Sequence, residues 1–482
     1  MEVLAGLKPE RVFHYFEEIC KIPHGSFHTK EISDYLANFA REHGLWYLQD
    51  ESNNVVIKKK AAAGYEDAPT VILQGHCDMV CEKTPGSSHD FLKDPLKLRV
   101  EGDFVTAEDT TLGGDDGIAV AYALAILEDD TLKHPALEVV ITTDEEVGLL
   151  GATALDTSCL EGTYLINMDS EEEGILWVGC AGGLTAKSEL PVERCSVEGV
   201  RAEVRIHGLK GGHSGAEIDK IRANANKLLG RFLYELKEKL PFAIQDLSGG
   251  QKDNAIPRSA VASLVIQEEA GSELADFAEA FTANVRAEYS GSDEGIQAEV
   301  SVKETGVFQA LTPVSGEKCV FLLMYTPYGV EKMSGNIEGL VETSSNPGIL
   351  ELKEDALVIT SSVRSSVKSG KEALTERLRY VTEFLGGTFT TEGEYPAWEY
   401  RKESKLRDIM FDTYQEVLGE EPAVRAIHAG LECGLFYEKI EGLDCVSFGP
   451  TMEGIHTTEE VLSISSTERM YRFLLKVLEH IH

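Results

Sequence analysis

Basic residues are scarce in this chain. It has 45 Lys and Arg against 82 Asp and Glu in 482 residues, a formal net charge of −37. A field of that sign repels nucleic acid and anionic membrane surfaces, and most of the excess reads as a soluble acidic surface. Met1-Glu-Val-Leu4 lacks a basic segment followed by an apolar core, so no secretion signal is expected. No apolar run approaches the roughly 20 residues that cross a bilayer. The Gly-x-x-x-x-Gly-Lys-Ser/Thr loop of nucleotide enzymes is absent. Cysteine pairing is absent too. The nine cysteines are scattered and odd in number, and Cys77 and Cys81 do not form a Cys-x-x-Cys knuckle. Reduced thiols and a cytoplasmic location are therefore expected.

With those classes set aside, one stretch organises the rest: Val71-Ile-Leu-Gln-Gly-His-Cys-Asp-Met-Val80. The continuous apolar run Val71, Ile72, Leu73 predicts a central strand covered on both faces. Residues two apart on an extended segment face the same way. His76 and Asp78 would thus face one pocket at a strand's carboxyl end, where open α/β sheets hold ligands. A neutral imidazole is a common metal ligand, and a neighbouring carboxylate fixes its tautomer. Alone, His-x-Asp has an ordinary explanation as a satisfied core or surface pair.

The pattern then repeats. Helices are expected over 7–22 and 29–43, and strands over 46–48 and 54–58, then a hairpin over 96–107. Gly113-Gly-Asp-Asp-Gly117 opens an Ala-rich helix over 118–127. A strand over 137–142 ends in Thr143-Asp-Glu-Glu-Val147, and one over 164–168 ends in Asp169. Any one acidic residue past a strand reads as a solvated loop charge. Four such ends in one register are hard to obtain by chance. From about residue 184 the texture changes to alternating strands, as over 200–206, with amphipathic helices over 223–240, 273–286, 318–324 and 372–385. That is α+β, read as two units in succession within 184–395. After Pro396 the α/β texture returns, with helices over 406–418 and 467–480 and a strand near 445–448. The expected organisation is one α/β domain, 1–183 and 396–482, interrupted by an inserted α+β domain, 184–395.

Together, His76, Asp78, Asp115, Glu145, Glu146, Asp169 and His456 make a set of two imidazoles with several carboxylates. Such a set suits a pair of borderline divalent cations. A two-metal site also needs a carboxylate that bridges both ions and an acid/base that is not itself a ligand. Adjacent Glu145 and Glu146 are able to divide those tasks.

The order His-x-Asp, Gly-Gly-Asp-Asp-Gly, Asp-Glu-Glu-Val-Gly, Asn-Met-Asp and Gly-Ile-His resembles the co-catalytic zinc exopeptidases. Within them the chain is most similar to the aminoacyl-histidine dipeptidases. Leu73-Gln-Gly-His-Cys-Asp-Met79, Asn167-Met-Asp-Ser-Glu-Glu-Glu-Gly174, Lys210-Gly-Gly-His-Ser-Gly215, Asp253-Asn-Ala-Ile-Pro257 and His428-Ala-Gly-Leu-Glu-Cys-Gly434 carry the likeness nearly end to end.

The resemblance implies a zinc-exopeptidase-like α/β catalytic domain with the inserted α+β domain as a lid. It implies two divalent metal ions, zinc first and cobalt or manganese as alternatives. His76 and Asp169 would hold one, Glu146 and His456 the other, and Asp115 would bridge them through a peptide bond expected to be cis after it. Asp78 would orient His76, and Glu145 would be the general base. From the lid, His213 would reach the scissile carbonyl, and Asn254 and Arg364 would grip the substrate's carboxylate. Glu432 is assigned to the free amine. Read without the resemblance, His213 is a turn residue in a Gly-rich loop and Arg364 an exposed strand charge. The implied activity is cytosolic hydrolysis of unblocked dipeptides such as Xaa-His, with no nucleic-acid or membrane partner and a homodimer left open. The alternative within the same chemistry is an N-acyl amino acid amidohydrolase or a tripeptidase. A metal-binding regulator is the reading from another class, and the spare base Glu145 speaks against it.

Overall fold

The computed structural model describes residues 3–482. The chain folds as two compact units. The first runs to Gly179 and resumes over Tyr400–Ala426 and Leu431–His482; the second is Cys180–Glu399 with Ile427–Gly430. The short Ile427–Gly430 return is tied to the second unit through Ala181, whose N–H donates to the carbonyls of Ile427 and Ala429.

In the first unit an eight-stranded sheet carries four parallel neighbours in the order Leu137–Thr142, Val71–His76, Tyr164–Asn167 and Asp444–Ser447. Every residue of Val71–His76 is buried, as expected for a strand covered on both faces. Because these strands are parallel, their carboxyl ends lie at one edge. His76 ends one strand, Asp144, Glu145 and Glu146 follow the next, Asp169 follows the third, and the loop to His456 leaves the fourth.

Helix Gly114–Glu128 explains its own composition. Ile118 to Leu127 are all buried, so the segment shows no polar face. Tyr122 donates its hydroxyl to the Thr467 carbonyl at 2.9 Å and stacks on Tyr471, both of the final helix Ile464–His480. The far end of the buried helix is closed by Lys59. Its ammonium donates to the carbonyls of Ile126, Leu127 and Asp129 at 3.2, 3.0 and 2.9 Å.

Helix boundaries follow local chemistry. The first helix is Glu10–Cys20, three residues later than the periodicity alone predicts, because Pro9 stands at its N-cap. The expected 318–324 helix begins earlier, at Pro313, where Thr312 accepts from the Ser315 N–H.

The second unit is built on one nine-stranded antiparallel sheet. The two successive α+β units expected within 184–395 are thus halves of a single sheet. Arg194–His207, Ala260–Ile266, Phe242–Gly249 and Gln297–Leu311 form one half, and Val341–Leu352, Ala356–Ser365, Gly182–Pro191 and Thr388–Tyr395 the core of the other. They join through only two residue pairs, Ser248 with Glu351 and Gly249 with Leu350. The expected alternation holds: Val200, Ala202, Val204 and Ile206 are buried beneath helix Ala225–Leu236, where Phe232 packs edge-on to Phe277 and Phe281. Among the described residues no helix is long and apolar enough to cross a membrane.

The Lys59 cap yields a stability test. Lys59→Met keeps the stem but leaves three carbonyls without their charged donor, a loss of about 2 kcal/mol. Scanning calorimetry should show a lower melting temperature for the variant; an unchanged transition would mean that water replaces the cap without cost.

Candidate active site

The carboxyl edge of the parallel strands brings the acidic and imidazole groups together. His76 is buried, with Nδ1 3.0 Å from the Asp78 carbonyl oxygen and 3.4 Å from Asp78 Oδ1. Those acceptors keep the proton on Nδ1 and turn Nε2 toward the cluster. There Nε2 lies 3.1 Å from Asp115 Oδ1 and 3.7 Å from Asp169 Oδ1. On the other side, His456 Nε2 lies 3.2 Å from Asp115 Oδ2 and 2.9 Å from Glu146 Oε1. Asp115 therefore directs one carboxylate oxygen at each imidazole. The Asp115–Asp116 peptide bond is cis, as the resemblance implies.

Backbone around this cluster is held by carboxylates that are not part of it. Asp78 accepts from the N–H groups of Glu145 and Glu146 at 3.0 and 3.4 Å and from Ser26 Oγ at 2.8 Å. So Asp78 fixes both His76 and the Glu145–Glu146 turn. Glu460, 3 % exposed, accepts from the N–H groups of Leu112, Gly113, Gly114 and Asp115. Gly113 takes the left-handed conformation, φ 67°, that lets this run curl around the carboxylate. Sequence reasoning missed Glu460, since nothing local marks a carboxylate whose partners lie more than three hundred residues away. It also missed Asp116. That side chain is fully buried, accepts from the His76 N–H at 3.2 Å, and fits only because Gly75 has no Cβ to meet its Oδ2 at 2.5 Å.

Electrostatics follow from the crowding. Burial pushes the Glu145 carboxyl up to about 8, with Glu432, Glu146 and Asp115 adding to the rise and the His76 charge opposing it. Burial likewise raises Asp169 and Asp116 well above the usual range. Burial also works to raise Asp115, but the imidazoles of His456 and His76 outweigh it and hold that carboxyl low. His456 is raised to about 10 by its hydrogen bonds to Asp115 and Glu146.

The donor set fits metal ions. Three overlapping groups, His76 with Asp116 and Asp169, His76 with Glu145 and Glu146, and Asp115 with Glu146 and His456, have ligand atoms within 4.8 Å of one another. Imidazole and carboxylate together suit zinc and its neighbours.

Glu432 is placed differently from expectation. It is fully buried, and its Oε2 accepts from Gln74 Nε2 and from Thr142 Oγ1 at 2.7 Å. With no exposed surface it is a poor receiver for a substrate's ammonium. Its network continues through Gln74 Oε1, which accepts from Asn167 Nδ2 at 2.6 Å, and so ties together the strands that carry His76 and Asp169.

The second unit gathers His213, Asn254 and Arg364. His213 pairs with Ala255 in a two-stranded ladder, and Ser214 N–H donates to the Asn254 carbonyl at 2.9 Å. His213 Nδ1 accepts from the N–H groups of Gly215 and Ala216 at 3.2 and 3.0 Å, which leaves the proton on Nε2. Burial and the Arg364 charge lower the basicity of His213, so the neutral Nε2–H donor is favoured. Arg364 is buried rather than exposed.

Comparison with known proteins shows the family. A family model described as a peptidase dimerisation domain matches residues 204–293. Cytosol non-specific dipeptidase of Escherichia coli (strain K12) is 36 % identical over 493 residues, covering 100 % of this chain and 99 % of that protein. The chain belongs to the aminoacyl-histidine dipeptidase family. Aminoacylhistidine dipeptidase from Vibrio alginolyticus superposes with a TM-score of 0.94 at 36 % identity, covering 99 % of this chain and 98 % of that one. An aminopeptidase from Bacillus cereus shares the fold, with a TM-score of 0.56 at 17 % identity and 98 % and 99 % of the two chains covered. The expected fold class and the expected enzyme class, a metallopeptidase of the dipeptidase type, are borne out by this family membership.

Glu460 supplies the test of this geometry. Glu460→Ala removes the acceptor that curls the Gly113–Asp115 run, and metal affinity should fall about 10–100-fold, as for other groups that orient ligands. Competition against a chelator of known affinity measures it. Wild-type affinity in the variant would show that the loop holds itself.

Proposed function

We propose that the chain is a cytosolic two-metal dipeptidase that cleaves unblocked dipeptides, Xaa-His such as β-alanyl-histidine among them. The observation that carries this reading is the division of the Asp115 oxygens between His76 and His456, with Glu145 half-buried beside them. His76 and Asp169 would hold one ion, Glu146 and His456 the other, and Asp115 both. Zinc suits this donor set best, with cobalt or manganese as alternatives. Two such ions supply Lewis-acid polarisation of the peptide carbonyl and a water made acidic near neutral pH.

This chain's residues do the rest. Glu145 is not needed as a ligand, and its raised pKa suits a group that takes a proton from water and returns it to the leaving amine. The Nε2–H of His213 donates to the carbonyl oxygen as negative charge develops there. Arg364 and Asn254 grip the terminal carboxylate, which restricts the enzyme to short substrates by geometry. Residues 184–395 act as a lid that carries these groups and excludes water. Family membership supports the dipeptidase reading over the tripeptidase one, since the solved tripeptidase from Staphylococcus aureus shares only the fold, at 16 % identity. The match to a dimerisation domain supports a homodimer.

The direct test is a metal-supplemented hydrolysis panel of β-alanyl-histidine, other Xaa-His and non-His dipeptides, a tripeptide and an N-acetyl amino acid. Dipeptides should be cleaved and the blocked amino acid not; the reverse preference would move the chain to the amidohydrolases. Two variants separate base from ligand. Glu145→Ala should lose about 10²–10⁴ in kcat with both metals retained. Glu146→Ala should lose affinity for one ion. Near wild-type turnover in metal-loaded Glu145→Ala would remove this residue from the mechanism.

A further inference from the structure

Arg364 is held from one side only. It lies in strand Ala356–Ser365 with 8 % of its surface exposed, and Nη1 donates to the Tyr395 hydroxyl at 2.8 Å. Its Nε is buried and has no hydrogen-bond partner. A buried donor on a charged group is costly to leave unpaired, so it marks a place where an acceptor is meant to arrive.

Tyr395 is aimed at this guanidinium by the sheet. Arg364 pairs with Gly183 on the neighbouring strand, and Gly183 pairs with Tyr395 on the next, so the three make a row across three strands. A Cβ on Gly183 would collide with the Tyr395 hydroxyl and ring. On another side, a Cβ on Gly430 would lie 2.8 Å from the ring's Cε2. The ring is thus packed against two glycines, and its hydroxyl crosses the bare position of Gly183 to reach Arg364. Because Arg364 donates in that bond, the hydroxyl keeps its own O–H for another acceptor.

Gly215 lies between the unpartnered Nε and His213. A Cβ on Gly215 would sit 3.2 Å from Arg364 Nε, 3.0 Å from His213 Cε1 and 2.6 Å from the His428 carbonyl oxygen. Glycine at 215 therefore keeps the guanidinium and the imidazole from being walled off from each other. On either side of Gly215 stand a fixed cation with an unpartnered N–H and the Nε2–H donor of His213.

The geometry points to Tyr395 as the positioning residue for carboxylate recognition: its hydroxyl fixes Arg364 so that the unpartnered Nε meets the substrate's terminal carboxylate. This rests on the reading of Arg364 as the carboxylate grip. The complementary chemistry is an anion with at least two acceptor oxygens, which a dipeptide's free C-terminus supplies and a C-terminal amide does not.

The test compares a dipeptide, through KM and kcat, with its C-terminal amide followed as a competitive inhibitor. Tyr395→Phe keeps the ring between its glycines and removes only the hydroxyl. KM for the dipeptide should rise about tenfold, more than kcat falls, while Ki for the amide moves little. Gly183→Ala keeps the hydroxyl but displaces it, and should give the same pattern; it decides the matter if Tyr395→Phe does not fold. Equal weakening of dipeptide and amide would show that Tyr395 only packs, and would overturn the inference. A silent Tyr395→Phe, with acid-over-amide discrimination lost in Arg364→Ala, overturns the role of Tyr395 and leaves the Arg364 reading standing. Discrimination intact in Arg364→Ala removes both.

Discussion

An excess of buried negative charge organises the first unit. Asp115, Glu146 and Asp169 converge at one sheet edge, and their ion pairs among the described residues are all with His76 or His456. Two imidazoles do not neutralise that many carboxylates, and burial, helped by the neighbouring negative charges, drives Glu145, Asp116 and Asp169 toward their protonated forms. A protein maintains so unfavourable a cluster where cations complete it. The fold's task is to hold the carboxylates close against their mutual repulsion.

It does so with further carboxylates. Asp78 collects the N–H groups of Glu145 and Glu146, and Glu460 collects those of the run leading to Asp115. Both use the charge-assisted hydrogen bonds that backbone N–H groups give an acid. Each also joins distant parts of the chain: Asp78 links the strand of His76 to the turn after Thr142, and Glu460 links the His456 loop to the start of helix Gly114–Glu128. The geometry of the cluster and the chain topology are fixed by the same contacts.

How much of this was legible depends on how local each cause is. His76, Asp169 and the Glu145–Glu146 pair were readable because each follows an apolar strand directly, and parallel strands align such ends. The buried helix was readable from its Ala-rich composition. Glu460 and Asp116 were not, because their roles are hydrogen bonds to backbone that only the fold brings near. Glu432 looked like a polar group available to substrate, yet Gln74 and Thr142 consume one of its oxygens in the core. Tyr395 was invisible because it lies two strands from Arg364, and its hydroxyl reaches the guanidinium only across the bare position of Gly183. The merging of two expected α+β units into one sheet turned on two residue pairs at Ser248 and Gly249, a contact no periodicity reports.

The central claim is that this carboxylate cluster is a two-cation site in which metal replaces protons. His456, raised to about 10 by Asp115 and Glu146, must release its proton to bind a metal at neutral pH. Calorimetric titration of zinc into the chelator-treated protein, repeated in two buffers of different ionisation enthalpy, reads stoichiometry and proton release together. Two equivalents bound with net release of protons at pH 7, and weaker binding as pH falls, is the predicted result. Saturation at one equivalent with full activity, or uptake of metal with no proton released, would contradict it.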